Sequence, residues 1–194
     1  MVNVIYNPMV GRLGLQQNLG VFDGFPEDMV QACAEFSHLL PARRLQFFIV
    51  EALKDLNGYV EVVDPDIIAT TTPITCRFEV GIAEGKIFNF LSEDELKRFK
   101  KLMKNRICKI LDFLVCIFYR YKREDGKEVS LWSDFHHVRF NLEGSKTLEV
   151  KVHHFKGTRK LPLNVLIRKI VDRINEKILV EGLKPLHPIR IVGH

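Results

Sequence analysis

The stretch ILDFLVCIFYRYKREDGKEVSLWSDFHHVRFNLEGSKTLEVKVHHFKG, residues 110–157, decides the fold. Its apolar residues alternate with polar ones, and its two breaks are rich in Gly, Asp, Ser and Lys. Asp125-Gly126 is a strong hairpin signal and EGSKT is a looser turn, so the segment reads as a three-stranded antiparallel meander. If Glu124 and Lys127 flank a two-residue turn, paired positions sum to 251. Tyr119 then faces Trp132, Ile117 faces Asp134, Val115 faces His136 and Phe113 faces Val138. Matching like with like across the second turn makes pairs sum to 290, so that Phe140 faces Val150 and His136 faces His154.

This register splits the two His-His dipeptides. Successive side chains on a strand point to opposite faces, so a one-residue slip would exchange them. His136 and His154 stand side by side on the more apolar face, with Asp134 two residues along. His137 and His153 stand side by side on the other face, among Phe118, Phe135, Phe155, Arg120, Arg139 and Lys151. Opposed residues have Cβ atoms roughly 4.5–5.5 Å apart, so either pair is close enough to share a ligand.

Two chemistries follow from that split. Asp134, His136 and His154 form a two-imidazole, one-carboxylate set of the kind that holds zinc or non-haem iron, and a metal-dependent enzyme is one expectation. The opposite face interleaves aromatic rings with cations, as a surface does on which bases stack and phosphates pair. There His137, Arg139, Lys151, His153, Phe135 and Phe155 are the candidate contacts. Lys156, Arg159 and Lys160 extend them in FKGTRKLP, a glycine-containing loop whose backbone N–H groups suit a phosphate. The first expectation for function is a non-catalytic module binding nucleic acid or another acidic partner. The alternatives are the metal enzyme and a catalytically inert scaffold that dimerises through its phenylalanines. Asp134 with Glu149 and Lys151 has a nuclease-like D…E-x-K spacing, but the register puts Asp134 and Glu149 on opposite faces, roughly 23 Å apart at ~3.3 Å per residue.

Charge is compatible with the binding reading, and equally with two halves that neutralise one another across the fold. Residues 1–97 carry 7 Lys+Arg against 14 Asp+Glu, and residues 98–194 carry 22 against 10, so net charges of −7 and +12 make up the overall +5. Such asymmetry suits an anionic partner of the basic half, or self-association of acidic with basic surfaces.

Outside the meander, Pro26 with Met29, Val30, Cys33, Phe36 and Leu40 suggests a helix, and Leu45, Phe48, Ile49, Ala52, Leu53 and Leu56 suggest a second. YVEVVDPD reads as a strand whose Asp64 and Asp66 could hold Mg²⁺. TPITCRFEVG and KIFNFL form a hairpin through Ala83-Glu84-Gly85. Ser92 to Glu95 is a capping box that opens a helix with Lys97, Arg98, Lys100, Lys101 and Lys104 on its exposed side. A last helix runs from Leu161 to about Val180, followed by a tail over 181–194. Gly11-Arg12-Leu13-Gly14 has the glycine spacing of a nucleic-acid clamp loop, but Asn7-Pro8 disfavours the helix such a loop needs.

The sum is one α+β domain over 1–194, with a largely antiparallel sheet of five or six strands and helices mainly on one face. The four cysteines lack the close pairing of a zinc site and read as reduced, buried thiols. No apolar run approaches the ~20 residues of a membrane helix, and the first residues lack a secretory pattern, so a cytoplasmic protein is expected.

Overall fold

A computed structural model of the chain describes residues 18–64, 74–123, 125–144 and 146–193. The Gly11-Arg12-Leu13-Gly14 motif and Asp66 lie outside them. The elements run β1 (Ala32–Ser37), α1 (Ala42–Leu56), β2 (Val60–Val63), β3 (Ile74–Glu84), β4 (Ile87–Phe90), α2 (Glu93–Met103), β5 (Ile110–Lys122), β6 (Glu128–Asn141), β7 (Thr147–Gly157), α3 (Leu163–Val180) and β8 (His187–Gly193). All strands pair antiparallel in one curled sheet, in the order β2-β3-β5-β6-β7-β1-β8, with β4 on the far end of β3. No helix among the described residues is long and apolar enough to cross a membrane.

The sheet is α+β and antiparallel as expected, but it has eight strands rather than five or six. Both extra strands lie where the sequence misleads. Residues 32–37 are a strand, not a helix: Ala32, Ala34 and Phe36 alternate inward while Cys33, Glu35 and Ser37 are less buried. β7 on one side and β8 on the other supply backbone partners, and this pairing overrides the helical preference of Ala and Glu. Within the expected tail, residues 187–193 pair with β1. Pro188 is tolerated because β8 is an edge strand and the pairing is bulged between Glu35 and Phe36.

One face of the sheet packs against α1 and α3. Leu45, Ile49, Leu53, Leu166, Ile170 and Ile174 meet Phe78, Phe113, Val115, Phe140, Val150 and Val152, all buried in one core. This is the stripe-on-sheet burial that the helical and alternating patterns require. α2 starts as the capping box implies on the Ser92 side, whose Oγ accepts from the Glu95 N–H at 3.2 Å. The Glu95 carboxylate instead pairs with Arg98.

Both register sums hold where the histidines sit. Val115 pairs with His136, Ile117 with Asp134, Tyr119 with Trp132, His136 with His154 and His137 with His153. The first sum is right through two compensating shifts. Arg123 N–H donates to the Lys127 carbonyl, so near the turn pairs sum to 250, as in Arg120 with Ser130. A bulge beyond Arg120 then adds the residue back. In β7 a further bulge between Phe135 and His136 sets Asp134 opposite Gly157.

Candidate functional site: a buried histidine face and a basic sheet end

Asp134, His136 and His154 do come together on the helix-facing side. His136 is fully buried, its ring centroid is 5.1 Å from that of His154, and His154 Nε2 is 3.7 Å from Asp134 Oδ1. Neither ring nitrogen of His136 has a hydrogen-bond partner among the described residues. Burial, reinforced by the neighbouring His154, pushes its pKa down to about 4, so the imidazole is neutral. His154 is lowered as well, mainly by burial.

Asp134 has another task. Its Oδ1 accepts from the Arg159 N–H at 2.6 Å and from Thr158 Oγ1 at 3.5 Å, and its Oδ2 accepts from the Lys160 N–H at 2.8 Å. The loop amides that suited a phosphate are thus turned onto the protein's own carboxylate. Tyr119 Oη accepts from the Leu161 N–H at 3.1 Å and completes the anchor. Gly157 is obligatory at the start of this turn. Its φ is +109°, and a Cβ there would lie 2.1 Å from the Ser133 carbonyl oxygen.

With Asp134 committed to these donors, no set of three or more His, Cys, Asp or Glu side chains among the described residues is placed to hold a metal ion. Two clefts lined by described residues lie elsewhere. One of about 360 Å³ is lined by α1, α2 and Glu181, and one of about 170 Å³ lies between α3 and the β2–β3 hairpin. The nuclease-like triplet is dispersed: Glu149 pairs with Asn141, away from Asp134.

The opposite face carries the expected rings and cations, but the chain between residues 20 and 31 lies over part of it. Asp112 and Arg139, paired across β5 and β6, make a two-pronged ion pair of 2.7 Å on each prong. Glu27 takes a third contact at 2.6 Å, and the guanidinium sits 4.0 Å from the Phe25 ring centroid. Burial opposes the charge on Arg139, yet Asp112 and Glu27 hold its pKa above the usual value. Lys151 is bound by Glu27 at 3.0 Å and Glu149 at 3.5 Å. His153 Nδ1 donates to the Met29 carbonyl at 2.8 Å. His137 is stacked on Phe155 at 4.6 Å and on Phe88 at 5.5 Å, and burial with His153 nearby pushes its pKa down to about 4. Phe135 is 6% exposed, whereas Phe155 is 46% exposed.

Arg139 and Lys151 are therefore neutralised in place, and Phe135, His137 and His153 support the outer face rather than forming an open platform. The contact that hides Arg139 spans Glu27 to Arg139, a separation no local pattern displays. Lys156 and Arg159 stand apart from this: both are exposed and neither side chain has a carboxylate partner among the described residues. Lys160 places its ammonium 4.4 Å from the Trp132 ring centroid. Beyond Trp132 the β5–β6 hairpin adds exposed Lys122, Arg123 and Lys127. The sequence displays these three cations, but beside Asp125-Gly126 they carry no signal beyond that of a polar hairpin turn.

All four thiols are free, and burial pushes Cys76 and Cys116 up to about 12 and Cys33 and Cys108 up to about 11. At neutral pH they are protonated and poor nucleophiles. Comparison with family models, curated proteins and solved structures found no match to this chain.

Proposed function

We propose that the protein is a non-catalytic binding module that engages an acidic partner through the basic end of its sheet. The observation that carries this reading is the concentration there of cations with few carboxylate partners among the described residues. Residues 119–133 and 156–160 hold seven Lys and Arg against three Asp and Glu. Of the seven, Arg120 alone has a carboxylate partner among the described residues, Glu128 at 3.1 Å. An excess of like charge at a surface raises the local concentration of anions and speeds their encounter. The helix α2 is also basic, but Lys97, Arg98 and Lys100 there pair with Asp94, Glu84 and Glu51 respectively, which leaves Lys101 alone of its four cations without a carboxylate partner among the described residues.

The contacts of this reading are Lys122, Arg123, Lys127, Lys156, Arg159 and Lys160, with Phe155 as the neighbouring exposed ring. Arg139 and Lys151 take no part. Anisotropy titration of labelled oligoglutamate and of a labelled single-stranded oligonucleotide, at rising salt, tests it. Binding of at least one probe that weakens as salt rises is expected. Absence of binding at low salt, or affinity indifferent to salt, overturns it.

A further inference from the structure

The basic end also contains a strand edge with no partner strand among the described residues. β7 stops at Gly157, opposite Asp134, and the chain then turns inward to the Asp134 carboxylate. β6 continues past that point toward Glu128, paired with β5 on one side. From Glu128 to Trp132 no strand among the described residues lies on its other side. These residues are exposed or half-buried. Backbone N–H and C=O groups in such a row are a template for another strand, and natural proteins usually blunt them.

Two blunting devices are present here, a bulge at this part of β6 and nearby lysines. The lysines are compatible with a chosen partner, because they repel a basic strand and attract an acidic one. Cations bracket the edge at both ends. Lys122, Arg123 and Lys127 stand at the hairpin tip, and Lys156, Arg159 and Lys160 stand where β7 leaves off. An extended segment laid along β6 in continuation of β7 would run between these groups for its whole length. Specificity would come from charge and affinity from main-chain hydrogen bonds, the mode of strand addition.

We infer that the acidic partner is an extended polypeptide segment that adds as a strand to the β6 edge at Glu128–Trp132, with its carboxylates on the flanking lysines and arginines. This rests on the binding reading above and names its partner. A single-stranded nucleic acid fits the site less well. Stacking of successive bases needs several open rings, whereas here Trp132 is covered by Lys160 and Phe155, stacked by one face on His137, offers a single exposed ring.

Trp132 is the only tryptophan of the chain and lies at this edge, so intrinsic fluorescence of the intact protein reports occupancy directly. The probe is an alternating Glu/Thr peptide of about eight residues, long enough to lie along the edge at ~3.3 Å per residue. Two derivatives carry N-methyl groups on either the odd or the even amides, which removes the donors of one edge and leaves the charge unchanged. The unmodified peptide is expected to bind and to shift the Trp132 emission. One derivative should match it, and the other should bind roughly tenfold more weakly or worse, from the loss of several hydrogen bonds. Equal binding of both derivatives overturns strand addition while leaving an electrostatic site intact. Binding of the oligonucleotide but not of any peptide also overturns it, in favour of a nucleic-acid partner. Binding of neither class removes the inference together with the reading on which it rests.

Discussion

Acid should destabilise this protein through His136, and the effect can be sized. The ring is fully buried without a hydrogen-bond partner among the described residues, and its pKa falls from 6.5 to about 4. In the unfolded chain the same imidazole takes a proton as pH drops through about 6.5, whereas the folded protein resists protonation until about pH 4. The unfolded state therefore binds more protons in this window, and stability is lost as pH falls from about 6.5 to about 4 and is level below it. At ~1.4 kcal/mol per pKa unit the full effect is about 3 kcal/mol, of which about 2 kcal/mol has been lost by about pH 5. His137 shifts in the same direction and adds to the loss. The assay is urea unfolding of the wild type and of His136→Leu at about pH 7.5 and about pH 5. The variant should lose about 2 kcal/mol less between the two conditions than the wild type does. Equal losses in the two proteins would refute the claim that a neutral imidazole is held in the core.

Other substitutions test the supports around the two faces. Gly157→Ala should cost about 2–3 kcal/mol or more in urea unfolding, because φ is +109° and the new Cβ meets the Ser133 carbonyl; a neutral effect would contradict the tight turn. Arg139→Ala leaves Asp112, which is 1% exposed, without its main partner and should cost about 3–5 kcal/mol. The double change Arg139→Met with Asp112→Leu removes both buried charges and should recover part of that loss; no recovery would contradict the view that the uncompensated Asp112 carboxylate is what costs stability in the single variant. Thiol labelling of the native protein should be slow at Cys76 and Cys116, and rapid modification of either would contradict their burial.

The register of the meander was legible because turn chemistry and inward periodicity agree in it. Asp125-Gly126 marks the turn, and only one alignment sends Phe113, Val138, Phe140, Val150 and Val152 to the same face. The compensating shifts beside that turn were not legible, since a bulge adds one residue without any necessary residue type. β1 was misread because its inward residues include Ala32 and Ala34, whose small side chains do not stand out as an alternating pattern. β8 was missed because Pro185 and Pro188 signal a tail when no edge strand is known to need a partner.

For the site, alternation correctly divided the four histidines between two faces. Which face stays open depends on what packs over it, and that is decided by contacts such as Glu27 with Arg139 and Met29 with His153. Such contacts depend on the whole chain and leave no periodic trace. Likewise Asp134 was recognisable as a carboxylate near two histidines, but the amides of residues 159 and 160 claim it only once the loop closes.

The central claim is that the exposed cations at the end of the sheet, and not basic residues in general, form the binding surface. Its most direct test compares two charge reversals of equal size by anisotropy with labelled oligoglutamate and oligonucleotide at low salt. One protein carries Lys156→Glu, Arg159→Glu and Lys160→Glu, and the other carries Lys97→Glu and Lys101→Glu on α2 with Lys104→Glu at its C-terminal cap. The account predicts that the first set weakens binding strongly and flattens the salt dependence of what remains, while the second changes affinity only slightly. Loss of binding with the α2 set, or equal loss with both, would contradict it.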